Sequence, residues 1–351
     1  MPISVSSVIQ PNEWNQGFQT RKGIKLLPIQ VGPLRAIVSS LGGNILSFEV
    51  DGSHGKVQAA KTFLDFSGDS DFDLPNLKGM MEIGGLTPPM YPGVGRLTKL
   101  PNDKPISGLK KIPGYRMLTD NIGIHGAAHN KNWKVTNDGL QRNGDYWASV
   151  EFEISPYNNK DLYEVFGAGN ISRSYYFKSI DDGAEVRIST AIKGICVFGD
   201  HSFFETPDRS KWTLESPASK LWEVDPNNNG VPTGELIEGG QFNSPKLLDT
   251  HFDGTFTELG SVGNNQAISK LLNTDSGLLI EVLQTRGLFP HRTIFTPLDK
   301  ENRPRDFTCI EACTTSPDAY LLSELNKFSA PLGTYIENYE FGTQFIKVKF
   351  T

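Results

Sequence analysis

Apolar and polar residues alternate with a period of two in several well-separated parts of the sequence. In residues 147–154 and 184–189 the even-numbered positions are apolar and most odd-numbered positions are polar or charged. Residues 345–350 alternate in a similar way near the end of the chain. Successive side chains of a β-strand point to opposite faces, so this period is typical of strands with one face on a core. The pattern predicts a fold built mainly from antiparallel sheets.

Turn signals separate these runs. Residues 34–50 are predicted to form two short strands hinged at Gly42-Gly43, and Asp138-Gly139 and Asn143-Gly144 are dipeptides typical of tight turns. The chain has 35 Gly and 22 Pro in 351 residues, which favours frequent turns over long helices. One helix is predicted, over residues 317–328, where apolar side chains recur at helical spacing.

No strand–helix alternation and no Gly-rich phosphate loop occur in the sequence. The irregular stretch 65–113 is interrupted by Pro and Gly, and a long loop of this kind often surrounds a functional site. No long linker divides the chain. We therefore predict an all-β protein, a large antiparallel β-sandwich, with residues 1–351 forming a single domain.

Composition excludes several classes of partner. The net charge is -6 with the two signs interspersed, and no basic run is interleaved with aromatic residues, so neither nucleic acid nor an anionic membrane is an expected partner. The first residues show no basic segment followed by an apolar one, and no stretch approaches the ~18 apolar residues of a membrane span. We expect a cytoplasmic protein, a monomer or homodimer.

The three cysteines cannot all pair within one chain. Cys196, Cys309 and Cys313 are therefore expected to be buried free thiols, in keeping with a reducing compartment. The Cys309-x-x-x-Cys313 spacing lacks a second pair of ligands to complete a zinc site. No metal site is predicted.

The stretch from Val197 to Asp208 holds the most informative histidine. His201 follows the apolar run 195–198, which is predicted to be the end of a buried strand. A histidine there can be partly desolvated and still reach a cleft, and a small shift from its ordinary pKa of about 6.5 makes it an acid or a base near neutrality. The alternative is a histidine that only packs on Phe203 and Phe204.

Seven motifs in one order resemble those of the aldose 1-epimerase (galactose mutarotase-like) family. They are Leu41-Gly42-Gly43-Asn44-Ile45-Leu46-Ser47, Tyr91-Pro92-Gly93-Val94-Gly95-Arg96-Leu97, Ile124-His125-Gly126 with Trp133, Asp200-His201-Ser202-Phe203-Phe204, Val231-Pro232-Thr233-Gly234-Glu235, Phe252-Asp253-Gly254-Thr255-Phe256, and Cys309-Ile310-Glu311-Ala312 with Pro317. The fifth of these motifs, residues 231–235, resembles the family's Pro-Thr-Gly turn. The resemblance extends over nearly the whole chain. It implies the large twisted β-sandwich of that superfamily and anomer interconversion of a free hexose, a small-molecule substrate, without a cofactor. Asp200, Phe203 and Ala312 depart from the family pattern, which affects the choice of sugar more than the chemistry.

The resemblance also implies roles for three titratable residues. Glu311 is predicted to be the base that takes the proton of the C1 hydroxyl, in an apolar setting that raises its pKa. His201 is predicted to be the acid that protonates the ring oxygen, kept protonated by a carboxylate such as Asp200. His125 is expected to donate a hydrogen bond at the ring oxygen or the adjacent hydroxyl.

Two further residues are predicted to bind the sugar hydroxyls. Arg96 and Asp253 would fix which ring face meets the base, with Asp249 as a rival to Asp253 because Leu248-Asp249-Thr250 also resembles a ligand-bearing turn. Trp133, Phe203 and Phe204 are aromatic residues that could stack on a sugar, although such residues belong more often to the core.

Three alternatives stay open. Arg286, His291 and Arg292 could hold a phosphate, as in a hexose-6-phosphate 1-epimerase, although His129 stands where that subgroup would carry an arginine. A carbohydrate-binding protein without turnover would need the same hydroxyl ligands. A glycoside hydrolase would use Glu311 and Asp253 as paired carboxylates and leave the histidines idle.

Overall fold

The computed structural model describes residues 5–53, 55–67, 70–73, 77, 79–92, 94, 125–228, 231–319 and 335–351. The strands, in chain order, are β1 Gln19–Arg21, β2 Ile24–Val31, β3 Leu34–Ser39, β4 Asn44–Gly52, β5 Gly55–Gln58, β6 Pro89–Met90, β7 Lys134–Leu140, β8 Tyr146–Ile154, β9 Gly169–Ile180, β10 Gly183–Ile195, β11 Gly199–Glu205, β12 Trp212–Glu215, β13 Ala218–Asp225, β14 Val231–Glu238, β15 Lys246–Leu247, β16 Phe252–Leu259, β17 Gln266–Asn273, β18 Leu278–Thr285, β19 His291–Thr296, β20 Phe307–Cys313 and β21 Tyr335–Phe350. The helices are α1, Lys160–Phe166, and the 3-10 segments Val5–Val8, Pro11–Glu13, Met80–Glu82, Ala128–Asn130, Arg209–Lys211 and Pro226–Asn228. Among the described residues, no helix is long and apolar enough to cross a bilayer.

The strands form three antiparallel sheets, which confirms the predicted fold class. One has five strands in the order β1-β2-β3-β4-β5, one has nine in the order β15-β12-β17-β18-β21-β10-β9-β8-β7, and one has seven in the order β14-β13-β16-β19-β20-β11-β6. Strands that are adjacent in the seven-stranded sheet come from distant parts of the chain. This topology brings β11, from the middle of the sequence, beside β20.

The nine-stranded and seven-stranded sheets face each other across a continuous apolar core. Buried polar contacts also cross this interface: Arg173 of β9 is paired with Asp200 of β11, and the Arg292 Nε of β19 donates to Gln284 of β18 at 2.9 Å. The five-stranded sheet contributes its inner face to the same core and covers its outer face with a second, smaller apolar cluster. The seven-stranded sheet therefore has one face in the core and one face free to carry a site.

Most of the strand predictions are confirmed. Strands β3 and β4 are separated by Gly42 and Gly43, whose φ angles of 65° and 54° lie in the left-handed region that glycine adopts readily. The even-numbered residues of β8 and those at 184–188 in β10 are buried, as the alternation predicts. Asn143-Gly144 forms the predicted turn between β7 and β8, and the last predicted strand is the end of the long strand β21.

Three local predictions are wrong. Asp138-Gly139 lies inside β7, where the two residues pair with Ala148 and Trp147 of β8. Residues 231–235, expected to form a turn, belong to β14, in which Gly234 has a φ of 89°. The apolar run before His201 is not the end of a strand, because β10 ends at Ile195 and His201 lies within β11. The predicted helix 317–328 lies outside the described residues from position 320 onward.

Candidate active site

A cleft of about 690 Å³ opens on the outer face of the seven-stranded sheet. Strands β11, β20, β19, β16 and β13 all contribute to its wall, and residues 79–81, Val94, His125, His251 and 317–318 complete the lining. Its volume lies within the ~300–1,000 Å³ typical of small-molecule sites.

A row of polar side chains crosses four adjacent strands on this wall. In register, Thr255 of β16 lies opposite Thr293 of β19, Thr293 opposite Glu311 of β20, and Glu311 opposite His201 of β11. The hydroxyls of Thr255 and Thr293 are 2.6 Å apart. Residues directly opposite each other in a sheet have neighbouring side chains, so the strand register alone brings this row together.

His201 and Glu311 are in direct contact at the end of the row. The distance from His201 Nε2 to Glu311 Oε1 is 3.2 Å, and the two residues are 7% and 3% exposed. The His201 ring stacks on Phe203 at 4.4 Å between centroids. The structure thus brings the two principal sequence-predicted residues together, side by side on one wall of the cleft.

Burial acts on both members of this pair. It raises the pKa of Glu311 well above its ordinary value, and the nearby charge of Asp253 raises it further. Burial also lowers the pKa of His201 to about 4. Desolvation disfavours the charged form of each group, so burial shifts the pair toward an uncharged imidazole beside an uncharged carboxyl.

Asp200 does not face His201, contrary to the role that the sequence suggested for it. Adjacent residues of β11 point to opposite faces, and the Asp200 carboxylate lies between the two sheets, where it accepts hydrogen bonds from Arg173 and from the Gln344 amide. The carboxylate beside His201 is Glu311 itself.

His125 lies beside the pair, with its ring in edge contact with that of His201 at 5.6 Å between centroids. Its φ of 68° is in the left-handed region, which is uncommon for residues other than Gly, although His adopts it more often than most. The next residue, Gly126, packs so closely on Tyr91 that an added Cβ would lie 2.1 Å from the Tyr91 carbonyl oxygen. His129 is 1% exposed and does not line the cleft.

Of the predicted sugar ligands, Asp253 lines the cleft and Asp249 does not. Asp253 lies on β16 opposite Phe295 of β19, next to the polar row. Arg96 lies outside the described residues. The assignments of all five site residues, Glu311, His201, His125, Asp253 and Arg96, stay predictions.

The three residues suggested as a phosphate loop do not line the cleft. Arg292 is fully buried between the sheets, where it donates to Gln284 and, through Nη1, to the Ile268 carbonyl at 2.7 Å. His291 is also buried, with Nδ1 3.5 Å from the indole nitrogen of Trp222. Arg286 is only half-buried, beyond the end of β18.

The aromatic residues of the cleft differ from those considered in the sequence. Trp133, Phe203 and Phe204 belong to the core, whereas Trp222 and Phe295 line the cleft. His251 and Asp318 also line it. His251 directly precedes the Phe252–Phe256 motif, a signal that could have identified it; Trp222 and Phe295 carry no such local signal.

Comparison with known proteins supports the fold. No protein-family model and no curated protein matches the sequence. Among solved structures, a galactose mutarotase-like protein from Clostridium acetobutylicum matches with a TM-score of 0.68 and 16% identity, over 95% of this chain and 98% of that one. A candidate aldose 1-epimerase from Escherichia coli K12 matches with a TM-score of 0.61 and 16% identity, over 94% and 100%. A galactose mutarotase-like protein from Lactobacillus casei matches with a TM-score of 0.57 and 14% identity, over 93% and 100%. The chain therefore has the galactose mutarotase-like fold.

Proposed function

We propose that the protein is an aldose 1-epimerase that interconverts the α and β anomers of a free hexose. The observation that carries this proposal is the buried contact between His201 and Glu311 on the wall of the cleft. Anomer interconversion needs one group to remove the C1 hydroxyl proton and another to protonate the ring oxygen. Two adjacent titratable groups that share one proton meet this requirement without a cofactor.

In the proposed mechanism, the pair carries one transferable proton, in an arrangement opposite to the one the sequence suggested. Because burial lowers the His201 pKa to about 4 and raises that of Glu311, we take the imidazole as the base and the carboxyl as the acid. Transfer of one proton across the 3.2 Å contact produces ionised Glu311 and protonated His201. Since ring closure to the other anomer reverses the roles of acid and base, either arrangement supports turnover.

The reaction proceeds in two proton transfers. The base takes the proton of the C1 hydroxyl while the acid protonates the ring oxygen, so that the C1–O5 bond breaks and a free aldehyde forms. Rotation about C1–C2 presents the other face of the aldehyde, and the reverse transfers close the ring. Positioned proton transfer of this kind contributes about 10²–10⁴-fold to a rate.

The rest of the cleft suits a neutral, polyhydroxylated ring. The hydroxyls of Thr255 and Thr293 and the carboxylate of Asp253 can bond sugar hydroxyls, and Trp222 and Phe295 offer aromatic surface to the apolar face of the ring. The phosphate-loop residues considered in the sequence lie elsewhere, which favours a free hexose over a hexose 6-phosphate.

Exchange spectroscopy by NMR on equilibrated sugars tests the proposal. We expect the protein to accelerate exchange between the two anomeric proton signals of glucose or galactose, and to act less on glucose 6-phosphate. Acceleration confined to the phosphate would favour the hexose-6-phosphate alternative. Broadened sugar signals without faster exchange for any of the three would instead indicate a carbohydrate-binding protein.

A further inference from the structure

A thiol lies next to the proton-sharing pair. Cys309 precedes Glu311 by two residues on β20, so both side chains project from the same face of the sheet. One potential ligand atom each from His201, Cys309 and Glu311 lies within 4.8 Å of the other two. Cys309 is fully buried and is not in a disulfide, so its sulfur is free to bind another group.

We infer that His201, Cys309 and Glu311 form a binding site for a zinc ion. Imidazole nitrogen, thiolate sulfur and carboxylate oxygen are the ligand types that zinc binds, whereas Mg²⁺ and Ca²⁺ prefer oxygen ligands alone. The sequence predicted no metal site, because the Cys309-x-x-x-Cys313 spacing lacks a second pair of ligands. The structure instead brings together three potential ligands from two neighbouring strands.

The geometry of the three groups is close to what zinc requires. With bonds of about 2.0–2.3 Å in a tetrahedral site, ligand atoms lie roughly 3.3–3.6 Å apart. The 3.2 Å between His201 Nε2 and Glu311 Oε1 already approaches that spacing. The sulfur lies within 4.8 Å of its two neighbours, so side-chain rotation of the order of 1 Å would complete the triangle.

Charge balance favours the same ion. Binding breaks the S–H bond of Cys309 and the O–H bond of Glu311, releases both protons to solvent, and forms bonds from the metal to sulfur, oxygen and the neutral imidazole. A divalent cation with one thiolate and one carboxylate has no net charge, which limits the cost of placing it in a buried setting. His201 and Glu311 line the cleft, so a fourth position remains for water or a sugar hydroxyl.

Zinc at this site would engage both members of the proton-sharing pair. If the proposed epimerase function holds, the ion is an inhibitor, since neither His201 nor Glu311 can then transfer a proton to the sugar. Metal binding itself does not depend on that function and can be measured without sugar.

The test is a titration of the full-length protein, freed of metal by a chelator, with Co²⁺ and then with Zn²⁺ as competitor. We expect one Co²⁺ per chain, a near-ultraviolet cobalt–thiolate charge-transfer band, and displacement by Zn²⁺ but not by excess Mg²⁺ or Ca²⁺. Cys309→Ser should abolish the band and weaken zinc binding by at least about 100-fold, more than loss of an outer-shell partner costs. The matched control is Cys313→Ser, which removes another buried thiol of the same strand. This variant should keep both the charge-transfer band and the wild-type affinity for zinc.

A wild-type protein that binds Co²⁺ without a thiolate band, or fails to bind it, would overturn the inference, as would an unchanged band in Cys309→Ser. Should that variant not fold, zinc K-edge X-ray absorption of the wild type replaces it: one sulfur ligand at about 2.3 Å is expected. A zinc shell of nitrogen and oxygen alone would also count against the site. Anomer exchange measured with and without Zn²⁺ separates the two proposals, since a protein that binds zinc but exchanges no sugar refutes only the epimerase function.

Discussion

Asp200 and His201 are neighbours on β11, and their side chains lie on opposite faces of the same sheet. Each is buried and each contacts a group of complementary acid–base character, Arg173 for Asp200 and Glu311 for His201. The two pairs nevertheless differ in what their protons can do. Arginine stays protonated in proteins, whereas an imidazole and a carboxyl can exchange a proton near neutral pH.

The surroundings of the two pairs strengthen this difference. On the inner face, Arg173 donates to the Thr87 carbonyl at 2.8 Å and stacks over Phe198, while Asp200 also accepts from Gln344. On the outer face, His201 Nδ1 has no hydrogen-bond partner among the described residues, and the pair borders an open cleft. A buried pair that is held between the sheets by several partners supports the fold, whereas a pair that borders an open cleft has access to a ligand and is suited to chemistry.

Removing the inner carboxylate should have the largest effect. Asp200→Ala would leave the Arg173 guanidinium buried without its counter-ion, and breaking a buried pair from one side costs about 3–5 kcal/mol. Urea unfolding followed by circular dichroism measures the loss. The control is Glu185→Ala, which breaks a cross-strand pair with Lys347 near the surface and should cost about 0–1 kcal/mol. Similar losses for the two variants would contradict the structural role of the inner pair.

Changes to the outer pair should affect turnover and leave the fold intact. Glu311→Gln and His201→Asn each remove one proton-transfer group, and we expect each to lower the rate of anomer exchange by about 10²-fold or more with little change in sugar affinity. Exchange spectroscopy and sugar titration measure the two quantities. The control is Glu205→Gln, at the end of β11 and beside Lys61, which should keep the wild-type rate. If both outer variants kept that rate as well, the proposed roles would be wrong.

The two faces of β11 also show what the sequence could and could not predict. Alternation in 147–154 and 184–188 predicted the buried faces correctly, because apolar residues on the core side and polar residues on the other side alternate within each strand's own sequence. The end of β10 was misplaced because residues 196–198 are buried without being strand. Thr314 satisfies their backbone: its hydroxyl donates to the Cys196 carbonyl and its amide to that of Phe198. The local sequence around residues 196–198 cannot reveal a hydrogen-bond partner that is so distant in the chain.

This boundary error explains the incorrect role given to Asp200. With His201 assigned to a loop after a strand, any nearby acid was a candidate partner. Because His201 lies within a strand, the side chain of its neighbour Asp200 points to the opposite face of the sheet. The pairing of His201 with Glu311 depends on strand order and register, which come from the packing of the whole sheet. Only the resemblance to a known family had linked those two residues.

The pH dependence of the rate tests the protonation states proposed for the outer pair, His201 and Glu311. The His201 pKa is lowered to about 4, so the imidazole stays an available base until the pH falls to that value. Below it both groups are protonated, no base remains, and kcat/KM should fall about tenfold per pH unit. At alkaline pH the rate should fall once Glu311 loses its proton. An acid limb centred near 6.5, the pKa of an unperturbed histidine, would contradict the proposal that burial lowers the His201 pKa. The uncatalysed rate at each pH is subtracted from the measured rate.

The smallest effect is expected at Asp253, which borders the outer pair without belonging to it. Asp253→Asn keeps the size of the side chain and removes its charge, so sugar hydroxyls lose a charged acceptor. KM should therefore rise by roughly tenfold, or about 1.4 kcal/mol, close to the lower end of what one hydrogen bond to a charged group contributes, with kcat nearly unchanged. The same substitution removes a charge that raises the pKa of Glu311, so the alkaline limb of the rate profile should move to lower pH. Asp249→Asn, at an exposed position outside the cleft, is the matched control and should change neither quantity. A loss of kcat in Asp253→Asn as large as that in Glu311→Gln would instead make Asp253 part of the proton-transfer chemistry and end the distinction between the outer pair and its neighbours.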